Sequence, residues 1–498
     1  MVRPNIVVIV MDCVRAWDFP GGPEAVQGMP SVEQLLKESV CFPKTVAPAP
    51  WTTPSHASIF TGLYPWEHEN HGRRSLALHP NVNRLADMLR PLGYRSACIS
   101  ANPLVSPPTG LATGFDVAAW GSMFDMFLRL DHRLTPPHTD PPTPGIVAEE
   151  SSLRSRFLRH LPYDEIPIRS LLERNLVVPM LAGQFLEGIR GCDRNDAYDP
   201  ARWVEPTLRS FLESVPIARP AFTFINLLDA HEPYFPDPET LKDHGGRWAY
   251  ARLPQDRLGW LTHSARRNEE DTQFLHALYR QAIRRIDRRI CAIRAILEEA
   301  GRWEDTCLIL TSDHGQAFGE NGMMFHRFRV DDSLVRIPLV LHLPRGERGG
   351  LTARGWASLV DIAPTCFRLA GAESPVRFSG SPLLDLIDAP RPAPVISVTD
   401  GTIGERWIPE FRRSELDRLG AATFQGSWKV VYMADPDELH AFEIDKDYRE
   451  ANDLWDSKLG ALGGLAASAR DAVARLSEAP KEAPSADVSD RLQAWGYI

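Results

Sequence analysis

The chain has 498 residues, which at roughly 100–200 residues per domain allows two to four units. Hydrophobic residues make up 43% and aromatics 9%, enough for a large core and incompatible with a disordered, fibrous or disulfide-stapled chain. With 55 basic against 65 acidic residues the net charge is -10, which argues against a generic affinity for nucleic acid or for an anionic membrane surface.

From the amino terminus, the apolar run 6–11 ends at Asp12 and is too short for a secretory core segment or a membrane span. The 7 cysteines are scattered without a CxxC pair, as free thiols in a reducing compartment are. The expectation is a soluble, cytoplasmic protein with no membrane partner. Runs 6–11, 96–100, 222–228, 306–311 and 338–343 have the β-branched, continuously apolar character of buried strands in a parallel sheet. Segment 121–200 interrupts the alternation, with a Pro-rich run at 135–144 and helical material after it, and is expected to be an insertion or lid. It carries Arg129, Arg133, Arg154, Arg156, Arg159 and Arg169, which suit an anionic substrate. The clearest helix covers 271–300, where Ile286, Ile290, Ile293 and Leu297 recur at helical spacing and Gly301 stops it. Beyond 371 the texture changes to strand candidates at 395–398 and 428–433 and an Ala-rich helix at 459–476. The expected fold is α/β, a doubly wound, mostly parallel sheet over 1–371, with a smaller C-terminal α+β subdomain over 372–498.

In such a sheet function sits at the carboxyl ends of the strands, and four of those ends carry ligand-type residues. Asp12-Cys13-Val14-Arg15 offers a carboxylate for a hard cation and a guanidinium for a loop or an oxyanion. Trp51-Thr52-Thr53-Pro54-Ser55-His56 opens a helix that Gly62 ends, with Thr53 as cap and Pro54 at the first helical position, so Thr52 lies beside free amides. Asp313-His314-Gly315 presents adjacent oxygen and nitrogen ligands on a tight turn, and His231 and His326 follow the same logic. Each taken alone is an ordinary cap, turn or buried histidine.

Taken in order, these residues resemble a sulfatase-like member of the alkaline phosphatase superfamily. The resemblance includes Arg3-Pro4-Asn5-Ile6-Val7, the Thr52 motif with Thr61-Gly62-Leu63-Tyr64-Pro65 and His71-Gly72, Gly114-Phe115-Asp116 and His231-Glu232-Pro233-Tyr234. It continues through Asp313-His314-Gly315, Arg336-Ile337-Pro338-Leu339, Asp361-Ile362-Ala363-Pro364-Thr365 and a final Trp495-Gly496-Tyr497, and omits only about 121–200. Such an alkaline phosphatase-like fold implies an ester hydrolase using one divalent cation (Mn, Zn, Mg or Ca) at Asp12, Thr52, Asp313 and His314. In sulfatases the Thr52 position is a Cys or Ser matured to formylglycine, and His56 stands where they carry Arg; a threonine cannot be matured this way, so no formylglycine is expected. Threonine here resembles the phosphodiesterase, phosphonoacetate hydrolase and phosphoethanolamine transferase branches.

The resemblance then implies attack by Thr52 on a small anionic ester, with phosphoric esters ahead of sulfuric esters. His56, Arg15 and His231 would stabilise charge on the equatorial oxygens, and His326 would protonate the leaving group. Cys13 stands where many relatives have a second carboxylate, and either packs or binds a softer ion such as zinc. Asp229, His231 and His326 are the candidates for a second metal, but Asp229 and His231 are only two residues apart, so one is expected. A sulfuric ester hydrolase, a soluble phospho-group transferase using the same threonine, and a non-catalytic binding protein are the competing readings. A homo-oligomer is compatible with all of them.

Overall fold

The computed structural model describes residues 3–72, 74–75, 77–121, 138–139, 201–253, 255, 268–401, 418–458 and 460–478. The expected lid over 121–200, its arginines and the final 495–497 motif lie outside these apart from Gly121 and the pair His138–Thr139. In chain order the strands are β1 (Asn5–Met11), β2 (Val40–Cys41), β3 (Thr45–Val46), β4 (Arg95–Ser100), β5 (Val117–Trp120), β6 (His138–Thr139), β7 (Ala221–Leu227) and β8 (Thr306–Thr311). There follow β9 (Ala317–Phe318), β10 (Met324–Phe325), β11 (Leu339–His342), β12 (Ala357–Ser358), β13 (Val395–Thr399), β14 (Gly420–Gln425), β15 (Trp428–Met433) and β16 (Glu438–Glu443).

Eight of these form one sheet in the order β2-β11-β8-β1-β7-β4-β5-β6. Its centre, β8-β1-β7-β4-β5, is parallel. The period-2 alternation of β1 explains why the run reads as apolar throughout. Val7, Ile9 and Met11 face one cluster with the helix Glu269–Glu299, while Ile6, Val8 and Val10 face another that includes Ala57, Ile59 and Phe60. Both faces are thus covered, as a doubly wound sheet requires. The long helix is capped by Asn268 and Asp271, which exchange side-chain and backbone hydrogen bonds, and it buries the expected Ile286, Ile290, Ile293 and Leu297.

One expectation needs correction. β11 was expected among the parallel strands, yet it runs antiparallel to β8, and β2 runs antiparallel to it. A parallel partner needs a covering crossover, and between Thr311 and Leu339 the chain has only a short hairpin and the four-residue helix Asp332–Val335, so it returns directly. The C-terminal subdomain is the antiparallel sheet β13-β14-β15-β16 with the helix Gly463–Glu478 packed on it through Ala469, Ala472, Val473 and Leu476. Among the described residues no helix is long and apolar enough to cross a membrane.

The helix that brings in Thr52, α1 (Thr52–Thr61), is buried along its whole length. Its cap is Trp51, in extended conformation, and not Thr53. The backbone turn decides the cap, and Pro54 still falls among the first four residues, whose N–H groups have no helical partner to lose. Gly62 ends it at φ 68, where a Cβ would also stand 2.5 Å from the Phe378 ring. His68 holds α1 from the side: its Nε2 donates to Ser58 Oγ at 3.1 Å and its Nδ1 accepts from the Asn70 N–H at 3.1 Å. Burial, helped by nearby His71, pushes this imidazole down to about 3. A histidine depressed in the folded state favours unfolding as pH falls below its unfolded value of about 6.5, at roughly 1.4 kcal/mol per pH unit until the folded value is reached. Urea unfolding of His68→Gln should therefore show a shallower loss of stability between about pH 6 and 4.5 than wild type, by up to that slope. Identical pH dependences would show that His68 is not neutral in the fold.

Candidate active site and metal centre

The parallel strands deliver their carboxyl ends to one edge. Asp12 follows β1, Asn102 follows β4, Asn226 is the second-last residue of β7, and Asp313 and His314 follow β8. The register pairs Val10 with both Asn226 and Thr311, so these ends are level, and α1 points its first residue at them.

His314 Nε2 is the hub. It lies 3.4 Å from Thr52 Oγ1, 3.3 Å from Asp313 Oδ2 and 3.8 Å from Asp12 Oδ1. Adjacent donors around a cation bonded at 2.0–2.6 Å stand about 2.8–3.7 Å apart; His314 Nε2 has that spacing to Thr52 and Asp313 and stands just beyond it from Asp12. Two details favour a cation there. The His314 Nδ1–H donates to the Gly315 carbonyl at 2.9 Å, which leaves Nε2 with its lone pair towards the oxygens. Asp313 Oδ2 is fully buried and accepts no hydrogen bond, while its Oδ1 takes the N–H groups of Cys13 and His314. An orphaned buried carboxylate oxygen among three donors is costly unless a cation meets it.

The electrostatics agree. Burial, reinforced by the charge of Asp12, pushes the Asp313 carboxyl well above its usual range. Burial acts on Asp12 as well, but His231, His314 and His56, with the Asn102 amide, outweigh it and hold the group below its ordinary value. Burial also pushes His314 and His56 down to about 4, so both are neutral at pH 7. At neutral pH these two rings therefore bring no positive charge to Asp12 and Asp313.

Gly315 is required by space. A Cβ there would stand 2.0 Å from the Ser333 carbonyl oxygen, against which the loop is clamped by Gly315 N–H donating to Leu334 O at 2.7 Å and Gln316 N–H to Ser333 O at 3.1 Å.

Other expected residues have different placements. Arg15, expected on substrate oxygens, is fully buried and bound by Asp18, Glu24 and Glu320, with its guanidinium also against Trp17 and Phe318. Three carboxylates on one guanidinium leave it a structural tie. His56 is likewise committed: its Nδ1–H donates to Thr52 O at 2.9 Å and its Nε2 accepts from the Asn226 amide at 3.0 Å. A neutral ring with both nitrogens engaged orients Thr52 and Asn226 and does not neutralise an oxyanion. Asp229 pairs with buried Arg289 at 2.8 Å, which removes it from any metal set.

His231 and His326 do reach the site, with ring centroids 5.1 Å apart and His326 4.4 Å from His314. His326 sits in a loop where Phe325, Arg327 and Phe328 adopt φ of 64, 86 and 71. Left-handed backbone at non-glycine residues costs on the order of 1–3 kcal/mol each and clusters where a side chain has to be aimed. Arg327 stacks on Trp51, the residue before Thr52. Cys13 is also left-handed, at φ 65, and its thiol donates to Asp12 Oδ1 at 3.3 Å. Burial, with Asp12, Glu232 and Asp313 around it, pushes that thiol well above its ordinary value.

Asn102 and Asn226 are not among the residues expected from sequence. Asn102 Nδ2 donates to Asp12 Oδ2 at 2.8 Å, and Asn226 Nδ2 lies 3.4 Å from the same oxygen. The only hint is a polar residue inside or just past an apolar strand. Asn226→Ala should weaken divalent-cation affinity by about 10–100-fold, because ligand orientation is lost while the ligands remain. Calorimetric titration of the chelator-stripped variant checks this, and unchanged affinity would make Asn226 a bystander.

Comparison with known proteins places this geometry. The family model described as Sulfatase matches residues 4–372, and the chain belongs to that family of hydrolases. Among relatives, the multifunctional alkaline phosphatase superfamily protein PehA of Trinickia caryophylli is 24% identical over 415 residues, covering 79% of each chain. The N-acetylglucosamine-6-O-sulfatase of Bacteroides thetaiotaomicron is 25% identical over 412 residues, 78% of this chain and 71% of that one. In structure, the phosphonate monoester hydrolase of Agrobacterium radiobacter superposes with a TM-score of 0.64 at 19% identity, covering 96% of both chains.

Proposed function

We propose that this chain is a metal-dependent hydrolase of phosphoric or phosphonic esters that works through a covalent intermediate on Thr52. The observation that carries the reading is the position of Thr52 Oγ1, at the first turn of a buried helix and 3.4 Å from His314 Nε2 beside Asp12 and Asp313. A divalent cation held by Asp12, Thr52, Asp313 and His314 would lower the pKa of the threonine hydroxyl, whose free alcohol is too weak a nucleophile at neutral pH. Thr52 Oγ, its proton given up to solvent, attacks phosphorus; the Oγ–P bond forms as the bond to the ester oxygen breaks. His231 and His326 stand on the leaving-group side, and the departing oxygen takes its proton from incoming water. The resulting hydroxide equivalent then cleaves the Oγ–P bond and restores Thr52. His56 orients Thr52 through its carbonyl, and Asn102 and Asn226 hold Asp12.

Support for phosphorus over sulfur comes from the unmodified side chain. A sulfated threonine lacks the elimination route that an aldehyde hydrate provides, so turnover of sulfates would stall at the intermediate. The sulfatase relative keeps a sulfuric ester as the second reading. Aryl phosphate monoesters and diesters, phosphonates and sulfates assayed after chelation and reloading with single metals decide between them. The expected order is phosphorus esters first; sulfate turnover above every phosphorus ester by more than about tenfold, roughly 1.4 kcal/mol in barrier, reverses it.

A further inference from the structure

The two loops that carry Asp12 and Asp313 both meet a third segment, which comes from outside the catalytic sheet. Tyr448, Arg449 and Glu450 follow β16 in the C-terminal subdomain, in a turn that Asp447 holds by accepting the N–H groups of Ala451 and Asn452 at 3.0 and 2.8 Å. We propose that Tyr448 and Glu450 are positioning residues for the cation at Asp12, Thr52, Asp313 and His314, acting through Trp17 and Asp332. The inference rests on the metal site of the ester-cleavage reading and goes beyond it by giving the C-terminal subdomain a part in that site.

One arm runs to Asp313 and His314. Glu450 Oε2 accepts from the Asp332 N–H at 2.9 Å, and its Oε1 accepts from the Lys429 ammonium, which also donates to the Val330 carbonyl at 2.6 Å. Asp332 opens the short helix Asp332–Val335, whose Ser333 and Leu334 carbonyls hold the N–H groups of Gln316 and Gly315 at 3.1 and 2.7 Å. Glu450 is thus joined to the turn that presents His314 through Asp332 and the backbone of its helix.

The other arm runs to Asp12. Trp17 belongs to the loop that starts at Asp12, and its Nε1–H donates to Asp332 Oδ2 at 2.9 Å. Tyr448 packs edge-on against the Trp17 ring, with centroids 4.9 Å apart, while Arg449 pairs with Glu24 further along the same loop. Ala16 N–H donates to Arg336 O at 2.9 Å and Val14 N–H to Ser312 Oγ at 3.0 Å, so a shift of Trp17 would be felt on both sides of the cation. Asp332 is the junction, with its amide on Glu450 and its carboxylate on Trp17.

The segment holds this geometry at a cost. Glu450 is left-handed at φ 59, a conformation that persists in a non-glycine residue only where its surroundings fix it. Its ion pair with Lys429 is buried, with side chains 4% and 0% exposed, and desolvation offsets much of the attraction in such a pair. A pair of that kind adds little to stability and is suited to setting one arrangement of the loops.

The test is cation affinity in the full-length chain, stripped with a chelator and titrated calorimetrically with manganese(II) and, for the visible spectrum, with cobalt(II). Tyr448→Ala and Glu450→Ala, neither of which removes a proposed ligand, should each weaken binding by about 3–30-fold and shift the cobalt(II) ligand-field bands. Tyr448→Phe keeps the ring on Trp17 and should bind as wild type does. Asp445→Ala removes a different ion pair between the subdomain and the core, to Lys44 at 2.7 Å, and should leave affinity and spectrum unchanged. Should the unpaired Lys429 charge unfold Glu450→Ala, Tyr448→Ala with its phenylalanine control carries the decision. Wild-type affinity in either folded alanine variant, or an equal loss in Tyr448→Phe or Asp445→Ala, overturns the proposal. Wild type that binds no cation overturns it together with the metal site. Weakened binding in the alanine variants, with no turnover of any ester by wild type, removes the ester reading and keeps the positioning role.

Discussion

Thr52→Ala should lower kcat/KM for an aryl phosphorus ester by on the order of 10^4-fold or more, about 5.4 kcal/mol of transition-state stabilisation, while the unfolding midpoint changes little. The asymmetry follows from what the side chain does. Thr52 is at the first helical turn, where alanine is at least as good a helix former, and its hydroxyl makes a long contact of 3.4 Å to His314 Nε2. Little structural hydrogen bonding is lost, whereas the attacking atom disappears. Thr52→Ser keeps an alcohol in place and should retain a measurable fraction of turnover. Acid-quenched wild-type enzyme should carry phosphate on residue 52, and mass spectrometry of the resting protein should show an intact threonine. Wild-type rates in Thr52→Ala would exclude covalent catalysis at this residue.

The second large effect concerns the cation. Chelation should abolish turnover, and the unfolding midpoint should rise again with divalent-ion concentration, since an ion at 100 times its Kd stabilises the fold by about 2.7 kcal/mol. Asp313→Asn separates the contributions. In the stripped protein, burial and then the Asp12 charge raise the Asp313 carboxyl. A carboxyl raised on folding stabilises most below its unfolded value of about 3.8 and loses that contribution as pH climbs through the folded value. The stripped wild type should therefore weaken, relative to stripped Asp313→Asn, as pH rises towards 7, and the variant should be the more stable at neutral pH. With saturating cation the order inverts, because only the wild type binds it well. A variant less stable than wild type under both conditions would mean that the carboxylate pair is not held apart from a counter-ion.

Much of the scaffold is legible because strands buried on both faces leave continuous apolar runs, so β1, β4, β7 and β8 announce themselves within a residue or two. The candidate ligands are legible for the same reason: Asp12, Asp313 and His314 break such runs where a parallel sheet places its open ends. The direction of β11 is not, since strand direction depends on the path the chain takes back and composition does not record it. Arg15 shows a second limit. Its role is set by Asp18, Glu24, His276 and Glu320, which are scattered over three hundred positions, and an arginine after a strand looks the same whether it meets substrate or carboxylates. Asn226 is hidden differently, because one amide in an apolar strand has no pattern until His56 and Asp12 are seen on either side of it.

The clamp of Gly315 and Gln316 onto Ser333 and Leu334 bears on how the enzyme fails. The loop that presents Asp313 and His314 is joined by backbone hydrogen bonds to the segment leading into β11, and β11 is paired with β8 at the heart of the sheet. Its amides belong to the same cooperative unit as the sheet and should exchange with solvent only when that unit opens, at the free energy of global unfolding. Asp313 and His314 should then keep their places for as long as the sheet persists. Activity measured along a denaturant gradient should fall together with the structural signal, and stabilising β11 at a position remote from the chemistry would extend catalytic lifetime by the same amount as it extends the fold.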